Sequence, residues 1–416
     1  MSARIAKYNR FDLFIFLLVT SLVAGNMFGA LQLPRVIALV LLIPFLELLP
    51  KAKSIGNMST MILWAVLFIF FCILSCIWNP AGIKNGVVTT IYNIVHFILF
   101  FELILFSRFA RNPIKAIVYG CLVAVAISAV IAFWELTTDQ HLSTSKSDEA
   151  RSSMMGANLL VRYFSAVTFY NFNMYVTFLC LLLPFLFWGI SNRQNSSKTR
   201  LLFVAMTIVA VVLILYNGSR GGLIASILMI VIYFVCTLKI NKKSLMYAAL
   251  FLFLMFLILH RYGDTILNTL TIRGEAQGSI MEEGRFGIWS NVMKVVNDYL
   301  WVGCGAGGLS TAMSEYSRGG ITISHNVFLE VLSQYGIVFF GCFIAYLVSI
   351  FKKARTIEDT SRRICLYQYL IAFPIVGIIN SGYLEQPSFW TTMALIYIFA
   401  NYEQIRPSGC DIRQTA

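Results

Sequence analysis

The chain has 416 residues, 58% of them hydrophobic and 12% charged, with a formal net charge of +13. A soluble globular domain carries about a quarter charged residues, so this composition excludes a water-soluble fold and points to a polytopic all-α membrane protein. Lys and Arg gather on cytoplasmic loops of such proteins, so the positive charge calls for a lipid bilayer as partner and for no nucleic acid.

Apolar runs able to cross a hydrocarbon core about 30 Å thick recur along the chain. Twelve spans are predicted, at 12–32, 36–50, 58–78, 87–107, 116–135, 165–190, 201–217, 221–238, 245–260, 326–350, 364–380 and 388–403. The basic MSARIAKYNR start precedes a run too long for a signal-peptide core, so it reads as a first membrane helix. With both termini inside, the inside segments hold 21 of the 32 Lys and Arg residues, as the positive-inside rule requires. The expectation is one integral membrane domain over 1–416, with a large outside loop subdomain at 261–325 between spans nine and ten.

Inside the spans, His96 and Glu102 fall in span four. His96 reads as a polar group satisfied between helices, although an intramembrane ionisable residue is a functional candidate by default. Glu330 lies about a turn inside span ten, where snorkelling to the surface would serve it. Most cysteines sit in or beside apolar runs; Cys304 stands in the polar loop without a disulfide partner there. No Cys/His cluster has zinc spacing and no Asp-x-Asp occurs, so no metal or cofactor is expected.

Three outside segments carry chemistry. In the turn Asn217-Gly218-Ser219-Arg220-Gly221-Gly222, Arg220 either snorkels to headgroups or forms an anion site with the amides that open span eight. In the long loop, Phe286, Trp289, Met293 and Val296 recur at helical spacing beside Val292. They predict an amphipathic helix of about 14 residues, opened by Arg285, lying on the membrane surface and ending near the interfacial pair Tyr299 and Trp301. Gly303, Gly305 and Gly308 spell GxGxxG, but they follow a helix where a dinucleotide fingerprint needs a strand. They read as a tight turn or a close backbone approach to a ligand. His325 stands at the entrance of span ten, open to a general-base role; a helix N-terminus would keep it neutral and a pyrophosphate would raise its pKa.

Together these residues resemble the O-antigen ligase and O-antigen polymerase superfamily. Asn217 to Leu223 is similar to its Ser-Arg-Gly signature. Arg285, Trp289 and Asp298 to Gly305 resemble its Arg-x-x-x-Trp … Asp-x-Pro-x-x-Gly-x-Gly stretch, with Tyr299 where proline is common. His325 to Gly336 resembles its His-Asn-x-x-Leu … Gly signature. Arg162, Phe169, Asn171 and Asn173 are similar to a looser element, with Ser165 where glycine is common.

The resemblance implies a GT-C-like membrane glycosyltransferase in the bacterial cytoplasmic (inner) membrane, with its site facing the periplasm. The donor would be a glycan on undecaprenyl pyrophosphate, attacked by an acceptor sugar hydroxyl with inversion. His325 would be the base. Arg220 and Arg285, with Arg162, would hold the pyrophosphate in place of a divalent cation, and Asn326, Trp289 and Asn173 would line the substrate. A polymerase extending a lipid-linked repeat is favoured over a ligase acting on lipid A-core, within lipopolysaccharide or other polysaccharide biosynthesis and alongside other polysaccharide-assembly proteins. The alternative of another class is a polysaccharide transporter or flippase, which the lack of an internal repeat disfavours.

Overall fold

A computed structural model describes residues 8–50, 58–145, 164–237, 285–317 and 320–406. In chain order the α-helices are α1 (Arg10–Thr20), α2 (Leu33–Val40), α3 (Leu42–Leu48), α4 (Met58–Ser75), α5 (Gly82–Phe109), α6 (Pro113–Thr138), α7 (Phe172–Ser191), α8 (Ser197–Tyr216) and α9 (Arg220–Thr237). Then follow α10 (Arg285–Asp298), α11 (Leu309–Ser317), α12 (Val327–Ala354), α13 (Thr360–Val376), α14 (Pro387–Ala400) and α15 (Tyr402–Ile405). No strand occurs among the described residues. Seven of these helices, α4 to α9 and α12, are long and apolar enough to cross a membrane; α14 is apolar but shorter.

α7 is the centre of the bundle. Of its best apolar window 89% is buried, against 28% for α4, α8 and α9. It packs on α8 and α13, and α13 in turn packs on α9. The outer helices keep large apolar side chains bare, among them Phe70, Leu201, Ile208, Val235 and Val338. An interior buried on all sides and an apolar exterior are what a bilayer solvent demands.

The connections gather at two ends. At one, Asn9 Nδ2 donates to Phe109 O (2.8 Å), Asp12 accepts the amides of Arg111 and Asn112 (3.1 and 2.7 Å), and Arg406 Nη1 donates to Arg111 O (2.8 Å). At the other, the amide of Asn26 donates to Thr168 O, Asn217 Oδ1 accepts the Ser165 amide, and Trp78 Nε1 donates to Gly303 O. Residues 9 and 406 thus share an end, and Arg220, Arg285 and His325 lie at the opposite one.

Several predicted spans are not single helices. The first is an 11-residue helix continued by a 3-10 turn, and the second is divided into α2 and α3. The tenth is broken at Gly336, whose φ of 76° and ψ of −179° interrupt α12. The ninth, at 245–260, lies outside the described residues, as does 261–284 of the predicted loop. α5 has 28 residues, about 42 Å at 1.5 Å per residue, so one end of it stands beyond a hydrocarbon core.

The predicted loop helix spans 14 residues as α10. Its buried stripe, however, is Ile288, Asn291, Val292, Val295 and Val296, while Phe286 is 83% exposed. Of the positions chosen from spacing, Val292 and Val296 lie on the buried face, Trp289 and Met293 are half-buried beside it, and Phe286 faces away. That face packs on α11 and on the start of α12, where Ile288, Val292, Val295, Cys304, Leu309 and Met313 form a second small core. Packing on α11 and α12 covers the buried face of this helix. Cys304 fills that core as a free thiol.

Candidate active site

The turn before α9 is built by its side chains. Gly218 has φ of +57°, and Ser219 Oγ accepts the Gly222 amide at 3.4 Å, closing the first turn. Arg220 is the first residue of α9 and is exposed. Gly221 and Gly222 serve close packing: a Cβ on Gly221 would stand 2.9 Å from Ile379 Cγ1, and one on Gly222 2.4 Å from Val176 Cγ1. The glycines therefore seat the Arg220 turn against α7 and against the end of α13.

Arg285 reaches the same place from α10. Its Nη1 donates to Ile378 O at 2.5 Å, just past the end of α13. Burial of its surroundings lowers its pKa, Tyr383 raises it, and the charge of Arg220 lowers it again. Two arginines from separate segments are held in each other's field, an arrangement that favours an anion between them.

His325 is the third member. It adopts φ of +47°, a left-handed conformation unusual for a side-chain-bearing residue. Burial first and then the charge of Arg285 lower its pKa to about 4, so the ring is neutral at neutral pH. Its Nδ1 is buried without a hydrogen-bond partner among the described residues. The preceding Ser324 is clasped from α10, whose Trp289 Nε1 donates to Ser324 O at 3.0 Å.

The remaining expected residues divide. Trp289 positions the His325 turn through that hydrogen bond. Asn326 caps α12, accepting the amides of Phe328 and Leu329 at 3.0 and 3.3 Å. Asn171 caps α7 likewise, accepting the Met174 amide at 2.9 Å. Asn173 is half-buried in the first turn of α7, three residues before the Val176 that meets Gly222, so it shares the face turned to α9. Arg162 lies outside the described residues.

The glycine loop packs on its own chain. Gly303, Gly305 and Gly307 have positive φ, and the loop lies along the break in α12. The amides of Cys304 and Gly305 donate to Ser333 O and Gln334 O, and the Ile337 amide donates to Trp301 O. Gln334 Oε1 accepts the Gly307 amide at 2.7 Å. The loop supplies backbone partners that a broken helix lacks.

Spacing alone missed two contributors. The turn between α13 and α14 brings Ile378, Ile379 and Tyr383 to the arginines; nothing in its sequence is unusual except Asn380-Ser381-Gly382, an ordinary turn signal. Glu330 does not snorkel: it is 3% exposed and fully hydrogen-bonded. Beside the same turn, Arg35 donates to His96 Nε2 (3.2 Å) and to Glu385 O (2.5 Å), and His96 stacks on Trp390. His96 is thus a partnered interhelical group at Nε2, as its sequence position suggested, while its Nδ1 has no partner among the described residues.

Residues 205–344, from α8 through most of α12, match the family model described as O-antigen ligase. The match spans about a third of the chain. It contains Arg220, Arg285 and His325, and it supports the O-antigen ligase/polymerase superfamily read from the motifs. No curated protein matches the chain. The matched region therefore contains α9, α10 and most of α12, while α7, α13 and the 378–383 turn, which seat its arginines, lie outside the match.

Proposed function

We propose that the chain is a membrane glycosyltransferase that moves a glycan from undecaprenyl pyrophosphate to a sugar hydroxyl of an acceptor glycan, at the periplasmic face. The observation that carries this reading is that Arg285 lies within electrostatic reach of both Arg220 and His325. An anion clamp beside a neutral imidazole suits displacement of a pyrophosphate by a hydroxyl.

In the proposed step the acceptor oxygen attacks the anomeric carbon from the face opposite the leaving group, inverting it. The bond from that carbon to the pyrophosphate oxygen breaks, and its electron pair leaves with the pyrophosphate. Arg220 and Arg285 stabilise the charge gathering there, and His325 takes the hydroxyl proton. Burial, and then the charge of Arg285, hold the His325 pKa down. A bound pyrophosphate offsets that positive charge, so the imidazole becomes a stronger base when the donor is present.

We place both termini in the cytoplasm and the site outside, where lipid-linked glycans are met after export. The acceptor is assigned as another lipid-linked repeat, making the enzyme a polymerase. Deletion of the gene followed by glycan analysis tests this: core carrying one repeat supports a polymerase, and bare core a ligase. For the chemistry, purified His325→Ala is expected to lose transfer while staying folded. Near-normal transfer by that variant removes the base assignment.

A further inference from the structure

We propose that Glu330 is a positioning residue for glycan transfer, locking the His325 turn to the 382–383 turn that faces Arg285. This rests on the transfer reading above.

Glu330 lies in the first turn of α12, five residues after His325. Its Oε1 accepts the Gly382 amide at 2.6 Å and Ser324 Oγ at 3.3 Å, and its Oε2 accepts the Tyr383 amide at 3.0 Å. Two of these donors come from the connection between α13 and α14, and the third from the residue before His325. No Lys or Arg pairs with this carboxylate among the described residues, although it is buried. A buried carboxylate is costly unless hydrogen-bonded, and here the Gly382 and Tyr383 amides meet the need, with the Ser324 hydroxyl shared between Glu330 Oε1 and Asn326 O at 3.2 Å.

The consequence is a shared register. Ser324 is held between Trp289 of α10 and Glu330 of α12, which keeps His325 in its left-handed conformation. On the other side, Tyr383 donates its hydroxyl to Val376 O and accepts the Asn380 amide at 3.3 Å, in the same connection whose Ile378 O accepts Arg285 Nη1. Val327, the first residue of α12, donates its amide to Gly377 O at 2.8 Å, closing the same gap from the backbone. Glu330 therefore connects the half of the site carrying the imidazole to the half seating the anion clamp. A displacement of about 1 Å between reacting groups reduces rate by about 100-fold.

Glu330→Gln keeps the volume but puts an NH2 group where an amide or hydroxyl hydrogen already points, so one donor faces another. Glu330→Asp keeps both acceptor oxygens and shortens their reach. The test uses full-length protein in nanodiscs with lipid-linked glycans extracted from the native host's membranes, read as release of undecaprenyl pyrophosphate. Wild type, His325→Ala, Glu330→Gln, Glu330→Asp and the His325→Ala/Glu330→Gln double variant are compared at equal folded fraction. Glu330→Gln is expected to lower kcat by about 10- to 100-fold, Glu330→Asp to recover part of it, and the double variant to be no slower than His325→Ala alone.

Wild-type turnover by Glu330→Gln, or losses that multiply in the double variant, overturns the positioning role while leaving the transfer reading intact. Full activity of His325→Ala overturns the transfer reading first and this inference with it. Should Glu330→Gln fail to fold, Ser324→Ala breaks the same link from its other end and enters the same comparison with His325→Ala.

Discussion

Gly303 and Gly336 cross with no space for a side chain on either. A Cβ on Gly336 would stand 2.2 Å from Val302 O, and one on Gly303 would stand 2.5 Å from Gln334 O. Both have positive φ, +103° and +76°. The crossing is where the polar loop repairs the break in α12, and it sets the nine residues Val327 to Tyr335 apart from the membrane-long remainder of the helix.

Gly336→Ala is therefore expected to destabilise strongly. Strain at a positive φ costs about 1–3 kcal/mol, and overpacking adds about 1–3 kcal/mol. Gly341→Ala is the control, since a Cβ there meets nothing within 4 Å and the site is helical. Thermal unfolding in detergent checks both: Gly336→Ala falls well below wild type, and Gly341→Ala stays level with it or rises.

Gly222→Ala tests the seat of Arg220. Its Cβ would press within 2.4 Å of Val176, pushing α9 off α7 and carrying Arg220 out of line with Arg285. Transfer by the folded fraction is expected to fall by about 10-fold or more. An unchanged rate in that fraction would mean that the Arg220 turn does not depend on this contact.

Arg285→Ala removes a charge from the clamp and relieves His325. Losing one preorganised donor to a developing anion costs about 100- to 1,000-fold in rate. The same change raises the His325 pKa toward its ordinary value, because one of its two depressing causes is gone. NMR titration of labelled histidine is the check. A His325 pKa unmoved by Arg285→Ala would show that burial alone sets it.

The wild-type pH profile follows from the same pair. A neutral imidazole is the active form, so activity is lost as pH falls through the His325 pKa. For kcat/KM, which reports the free enzyme, the acid limb is expected near 4. For kcat, with pyrophosphate beside Arg285, it moves upward. Coincident acid limbs would deny the coupling between donor charge and base strength.

Arg362 offers a contrast at the opposite end. It is 6% exposed, donates to Asp359 Oδ2 at 3.1 Å and Phe399 O at 3.3 Å, and pairs with Glu403. Arg362→Ala is expected to lower stability by about 1–3 kcal/mol and to leave kcat of the folded protein within twofold of wild type. A large fall in kcat would instead link the two ends of the bundle.

Amino-acid sequence alone determined the class of this protein. Apolar length and scarce charge leave only a helical membrane fold, because the backbone must satisfy itself in lipid. It also singled out Arg220, Arg285 and His325 as candidates and gave the 14-residue helix that Arg285 opens, because charged and turn-forming residues stand out against an apolar background. Helix continuity was not legible: the apolar run at 326–350 does not reveal that Gly336 ends one helix and begins another, since that break exists only where residues 301–307 supply its hydrogen bonds. The buried face of α10 was only partly legible for a related reason: spacing found Val292 and Val296 but not Ile288 and Val295, since it shows an apolar side but not which neighbour covers it. Tertiary structure alone decided that the glycine stretch Gly303 to Gly308 binds the chain's own backbone. It alone also decided that the turn from Ile378 to Tyr383, remote in sequence and plain in composition, carries the arginines' seat, because such contacts join residues whose separation along the chain leaves no periodic trace.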